Sequence, residues 1–256
     1  MITNIGFLDL RKIERKLIEK SKITFCYQYY EDVDALARLI ILIKNLSPEV
    51  KNFVKFQIVD DHSKKHPIIE FKDELLELGV RVFRIEQDIT WNQTGARNLN
   101  AYICDTEFAL FSDIDHIFKE VEIIKIKQLL ENNQLDAEHY YIFSRVDQNA
   151  KTLGSPCNIY IINVDRFLEF GGGDEDFVGQ YGYEDVFFRK FLEANGIKPT
   201  LLKNIVIEVG NFRSGNQQIG LIRDLDRNKM MLEAKLQSFE TKSFFALRFS
   251  WHEIIG

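Results

Sequence analysis

Two aspartates, Asp113 and Asp115, follow the apolar run Phe108-Ala109-Leu110-Phe111 and stand two residues apart in Ser112-Asp113-Ile114-Asp115-His116. On an extended chain, side chains two apart point the same way, so both carboxylates can reach one hard divalent cation. An isolated pair of this kind also arises because turns favour Asp. Three further polar clusters bear on it. Val59-Asp60-Asp61-His62-Ser63 ends a second apolar run, where one carboxylate can accept the imide hydrogen of a uracil and another can bond a ribose hydroxyl. Trp91-Asn92-Gln93-Thr94-Gly95-Ala96-Arg97-Asn98 combines small residues, a helix start that favours anions and a planar guanidinium suited to a pyrophosphate. Tyr181-Gly182-Tyr183-Glu184-Asp185 sets an aromatic and glycine platform before two acids in a first helical turn, where one carboxylate can take a proton from an acceptor hydroxyl. The helix dipole favours acids there with no chemistry at all.

The elements that must position these clusters follow from hydrophobic periodicity. From Lys22 the chain alternates as parallel α/β folds do: strand 22–28, helix 32–46, strand 54–60, helix 68–78, strand 80–85, helix 94–104, strand 107–112. Right-handed crossovers stack such strands in one sheet and leave ligands at the carboxyl ends. Beyond Asp115 the pattern predicts helix 121–132, strands near 140–145 and 157–163, a glycine-rich loop 170–177, helix 184–195, short strands before Gly210, a polar stretch 211–220 and a helix around 225–238. Before the sheet, Phe7, Leu10, Ile13, Leu17 and Ile18 fall at helical spacing and predict an amphipathic helix over 7–20. The expected organisation is an amino-terminal helix (1–21) and two functional halves (22–118 and 119–256) in one compact body.

Composition narrows the function class. With 256 residues, 45% of them apolar, the chain can bury a large core. A net charge of −6, without a block of Lys and Arg interleaved with aromatics, argues against a nucleic-acid partner. Cys26, Cys104 and Cys157 are odd in number and widely spaced, which fits reduced thiols in a cytoplasmic setting. The longest apolar stretch, Leu39–Ile43, is too short to cross a bilayer, so the expectation is a cytoplasmic protein, free or peripheral at a membrane.

Taken in order and spacing, Val59-Asp60-Asp61-His62-Ser63, Gly95-Ala96-Arg97-Asn98, Asp113-Ile114-Asp115 and Gly182-Tyr183-Glu184-Asp185 resemble the motifs of metal-dependent glycosyltransferases of the type A fold. The front half is similar to family 2 glycosyltransferases. The rear half, through Gly171-Gly172, Asp174-Glu175, Phe177, Gly182–Asp185, Arg189 and Leu225-Asp226-Arg227-Asn228-Lys229, is similar to the galactosyltransferase carboxyl-terminal domain. The resemblance spans about residues 22–250. It implies a mostly parallel, helix-flanked sheet that binds a UDP-sugar with Mn²⁺ or Mg²⁺ and transfers a hexose (galactose, glucose or an N-acetyl form), with inversion, to a glycan or glycolipid hydroxyl, as in polysaccharide biosynthesis. By the same resemblance Asp60, Asp61, Arg97, Asn98 and Asp113 bind the donor, Asp61 reading uracil, Asp113 and Asp115 carrying ribose and metal, and Arg97 touching the diphosphate. Tyr181, Gly182, Tyr183 and Glu184 would bind the acceptor, and Asp185 would be the base.

The chain also departs from that pattern. Tyr181 replaces a tryptophan usual in the acceptor loop, with Gln180 apparently inserted beside it, and Glu208-Val209-Gly210-Asn211-Phe212 lacks the histidine often found as third metal ligand. His252 and His116 are the available substitutes, although lone histidines more often serve structure. Two other readings compete. In a phosphohydrolase of the haloacid dehalogenase kind, Asp113 would be the nucleophile and Asp115 the acid, leaving the Gly182–Asp185 loop unused. A nucleotide-sugar-binding module without turnover would account for the missing histidine.

Overall fold

The computed structural model describes residues 8–15, 18–147, 149–209 and 220–256. A ten-stranded sheet forms its centre. In chain order the strands of this sheet and of a two-stranded accessory sheet are β1 (Leu8–Asp9), β2 (Glu19–Tyr29), β3 (Val54–Asp60), β4 (Arg81–Ile85), β5 (Thr106–Asp113), β6 (His116–Ile117), β7 (His139–Val146), β8 (Thr152–Leu153), β9 (Tyr160–Asn163), β10 (Lys198–Val209), β11 (Phe245–Ala246) and β12 (Trp251–Ile255). The helices are α1 (Val33–Asn45), α2 (Pro48–Phe53), α3 (Lys72–Glu77), α4 (Gln93–Ile103), α5 (Glu120–Glu131), α6 (Val164–Glu169), α7 (Glu184–Ala194) and α8 (Asp226–Gln237).

The sheet runs β12-β4-β3-β2-β5-β9-β7-β10-β6, with β8 on β7. Strands β4, β3, β2 and β5 form a parallel block. Because β9 is antiparallel to both β5 and β7, and β10 is parallel to β7, these last two strands point the same way as that block. Parallel strands joined by helices are covered on both faces, and β2 obeys this: Ile23, Phe25 and Tyr27 enter one apolar core, while Cys26 enters the other. The first core lies under α1, α2 and α5, the second under α4 and α6. A third, smaller cluster of Phe177, Phe187 and Leu232 joins α7 to α8.

The alternation from 22 to 113 is found within a few residues of its expected bounds. Helix 68–78 is a 3-10 turn over Ile68–Phe71 followed by α3, and the short strands before Gly210 are one strand, β10. The amino-terminal helix is corrected over the described part of that segment: Leu8–Asp9 pairs with β11, and Leu10–Lys12 make a single 3-10 turn capped by Asp9. Leu10 is fully buried in the second core, and Arg15 donates to the carbonyls of Cys104 (3.3 Å) and Thr106 (2.8 Å), so docking onto the sheet outweighs the helical periodicity. Phe7 and Leu17 of that pattern lie outside the described residues, as do 211–219 of the polar stretch and Gly210-Asn211-Phe212. Among the described residues, no helix is long and apolar enough to cross a membrane.

Candidate active site

Asp113 ends β5 and Gln28 lies opposite it on β2, while Asp61 follows β3, so three adjacent strands deliver polar side chains to one rim. They line a cleft with Asp32, Tyr30 and Trp91 that encloses about 800 Å³ including its open mouth. Asp61 is buried and accepts from Asn92 Nδ2 at 3.0 Å. Burial, reinforced by Asp60, pushes its carboxyl up to about 8. Asp32 caps α1 by accepting from Ala35 N, and it too is raised by burial.

The aspartate couplet is held from both sides. Arg97, buried on α4, donates from Nη2 to Asp113 Oδ1 at 3.0 Å, and Asn158 Nδ2 donates to Asp113 Oδ2. Burial raises the Asp113 carboxyl despite the Arg97 charge. Burial acts the same way on Asp115, but the His116 ring, 2.7 Å from Asp115 Oδ1, holds it below the ordinary carboxylate range. Nitrogen and oxygen atoms of Asp113, Asp115 and His116 lie within 4.8 Å of one another, and His116 Nε2 is buried without a hydrogen-bond partner among the described residues. Two carboxylates and an imidazole suit a divalent transition ion such as Mn²⁺. The donor set therefore fits a cation.

His252 does not join this group. It lies on β12, where its Nδ1 meets Glu86, four inter-strand steps from β5, roughly 19 Å across the sheet.

The acids of the rear half reach the same space. Asp113, Asp115, Glu184 and Asp185 line one cavity together with Tyr181 and Arg145. A tight turn makes this possible: Gly182 has φ +86° and Tyr183 φ +72°, and the two left-handed residues swing the chain into α7 at Glu184. A Cβ on Gly182 would meet Leu225 Cδ2 at 2.8 Å. Asn228 on α8 holds the turn, its Nδ2 donating to the carbonyls of Phe177 (3.0 Å), Gln180 (2.9 Å) and Gly182 (2.9 Å). Asp185 Oδ2 accepts from the Cys157 thiol at 2.9 Å and Oδ1 from Val186 N at 2.7 Å. Burial, then the Asp185 charge, raises the Glu184 carboxyl to about 7. Tyr181 packs on Trp91 with ring centroids 4.7 Å apart, and the Arg223 guanidinium lies 4.7 Å over the Tyr181 ring.

Two expected donor-binding residues have other work. Asp60 is fully buried; it accepts from Ser63 N (2.8 Å), Ile68 N (3.4 Å) and Arg84, which fastens the turn after β3. Asn98 bridges α4 to the glycine loop through Gly173 N and O (2.8 and 3.0 Å) and Glu175 Oε1 (2.8 Å). Gly95 likewise serves packing, since a Cβ there would strike Asn92 Oδ1 at 2.1 Å and Phe249 at 2.6 Å. Arg97 bonds Asp113 and lines a small pocket with Glu184 and Asp185, and the Asp113 carboxylate keeps its guanidinium charged against burial.

Other side chains at the site carried no sequence signal. Arg145 lines the acidic cavity and, among the described residues, forms no ion pair and leaves its buried Nε without a partner. Cys157 and Asn158 come from an irregular segment between β8 and β9. An orphan arginine or a loop cysteine is recognisable only once the strands around it are placed.

With this geometry in view, the chain can be set beside known proteins. No protein-family model and no curated protein matches the sequence. Solved structures do. TarS residues 1–349 of S. aureus, in complex with UDP-GlcNAc, superposes with TM-score 0.64 at 11% identity over 85% of this chain and 67% of that one. GalNAc-T7 with UDP, GalNAc and Mn²⁺ gives TM-score 0.62 at 14% identity over 86% and 50%. This is the glycosyltransferase type A fold. A longer S. aureus TarS structure matches with TM-score 0.59 at 13% identity, and the chain spans 40% of its length. The chain thus spans between 40% and 67% of the lengths of these neighbours.

Proposed function

We propose that the chain is a metal-dependent glycosyltransferase that moves a hexose from a UDP-sugar to a glycan or glycolipid hydroxyl with inversion. The observation that carries this reading is the single cavity shared by the Asp113–Asp115 couplet and the Glu184–Asp185 pair. Donor activation and acceptor deprotonation need these two kinds of group on opposite sides of one reacting carbon. The TarS structure with UDP-GlcNAc and the GalNAc-T7 structure with UDP and Mn²⁺ support the same donor chemistry.

In this reading Asp61 accepts the imide hydrogen of uracil, and Asp113, Asp115 and His116 hold Mn²⁺ or Mg²⁺. A cation there supplies charge neutralisation for the departing diphosphate. Arg145, facing the cavity without a carboxylate partner among the described residues, is placed to take a diphosphate oxygen, whereas Arg97 already serves Asp113. Glu184 binds acceptor hydroxyls beside the Tyr181–Trp91 platform. Asp185 accepts the hydroxyl proton as the new glycosidic bond forms and the bond to the diphosphate breaks. The donor half is 22–118 and the acceptor half 119–256. The phosphohydrolase reading is set aside, because the observed fold is of type A and that chemistry has no use for Glu184 and Asp185.

The test is a panel of nucleotide sugars with Mn²⁺, assayed for hydrolysis without acceptor. One UDP-hexose should be turned over, and chelation should stop it. UDP binding with no hydrolysis or transfer of any sugar would favour the binding module instead.

A further inference from the structure

Gln28 is only 9% exposed, yet neither its Nε2 nor its Oε1 has a hydrogen-bond partner among the described residues, and the side chain lines the donor cleft. Leaving one buried polar group unsatisfied is costly, and here both ends of one amide are unpaired. Its register fixes where it points. Gln28 lies opposite Val59 on β3 and Asp113 on β5, so by strand alternation Asp61, Gln28 and Asp113 project from one face of three neighbouring strands. They form a row about 10 Å long, with Gln28 in the middle.

We propose that Gln28 selects ribonucleotide donors by hydrogen-bonding the vicinal 2′,3′-diol of the ribose. The assignment rests on the uridine diphosphate reading above. A nucleoside diphosphate laid along this row, base toward Asp61 and diphosphate toward Asp113, puts its sugar at Gln28. The amide needs a partner that both donates and accepts on adjacent atoms. A diol does so, whichever way the amide is turned. Uracil's imide edge also sets a donor beside acceptors, but in this orientation its N3–H is answered by Asp61 at the end of the row, and phosphate offers acceptors alone. Side chains that could otherwise satisfy Gln28 are engaged elsewhere: Asn92 with Asp61, and Asn158 and Arg97 with Asp113.

The experiment is calorimetric titration of the full chain with UDP and with 2′-deoxy-UDP in the presence of Mn²⁺, for the unaltered protein and for Gln28→Leu and Gln28→Met. The unaltered protein should bind UDP at least about tenfold more tightly than the deoxy analogue. Both variants should lose that margin by weakening more for UDP than for 2′-deoxy-UDP, which has only the 3′-hydroxyl bond to lose. A margin that persists in a folded variant, or equal binding of the two ligands by the unaltered protein, overturns the role of Gln28 and leaves the donor reading standing. The two-ligand comparison in the unaltered protein needs no substitution, so it decides even if both variants fail to fold. No binding of either nucleotide by the unaltered protein overturns the donor reading and this assignment with it.

Discussion

Cys157 and Asp185 are joined directly: the thiol donates to Asp185 Oδ2 at 2.9 Å, while Val186 N fixes the other oxygen. Burial and the adjacent carboxylate push the thiol up to about 12, so it remains a donor throughout the neutral range. Each oxygen of Asp185 is thus held by one hydrogen bond, which would aim it as the base of the proposed function. Asp185→Asn should lower kcat for transfer by about two to four powers of ten with UDP affinity unchanged. Cys157→Ala should lower kcat several-fold without raising KM, and Cys157→Ser should restore it. Near wild-type transfer by Asp185→Asn would remove this residue from the base role.

Asp61 offers a test in which stability and recognition move in opposite directions. Its folded carboxyl, at about 8, lies above the ordinary 3.8, so its contribution to stability is complete below that ordinary value and is lost as pH rises toward 8. Asp61→Asn should therefore raise Tm at pH 8.5 relative to the unaltered protein and make little difference at pH 4. The same change should erase the preference for UDP over CDP. A lower Tm at pH 8.5 would contradict the burial account.

Glu184 follows the same sign over a lower window. With a folded value near 7 against 4.5, its contribution declines between about pH 4.5 and 7, and Glu184→Gln should flatten the Tm profile there. An unchanged profile would show that the carboxyl is not desolvated.

His116 lies with Asp113 and Asp115 in one group whose ligand atoms are within 4.8 Å of one another, and the proposed function makes it the third ligand. His116→Ala should weaken Mn²⁺ binding by about ten- to a hundredfold, as loss of a ligand or of its supporting shell does, while His252→Ala should leave it unaltered. Equal losses in the two variants, read by metal titration, would refute the assignment.

Asn98 separates folding from function. Asn98→Ala removes the bridge between α4 and the glycine loop and leaves Gly173 N without its partner, so it should cost about 2 kcal/mol in denaturant unfolding. Nucleotide affinity of the folded fraction should be kept.

The parallel block was legible because its strands are short apolar runs separated by amphipathic helices, and the carboxyl-end rule then placed Asp61 and Asp113 at one rim. The pairing of Asp113 with Glu184 across a single cavity was legible only through the resemblance. What escaped was decided by tertiary packing. Leu10 and Ile13 read as a helical stripe, but a buried pocket and a β11 partner drew the segment into extended structure. Asp60 and Asp61 are adjacent and identical in type, and only their opposite directions from the strand end separate a turn fastener from a cleft wall. His252 and His116 are likewise indistinguishable until the strand order sets one beside the couplet and the other at the far edge.

That far edge is closed by β12, which hydrogen-bonds to β4 and so joins residues 251–255 to the first half of the chain. During synthesis the β4 edge stays bare until these residues have left the ribosome, and a bare parallel strand is a template for intermolecular pairing. Products halted before Trp251 would carry every group of the cleft and still be prone to coalesce into aggregates.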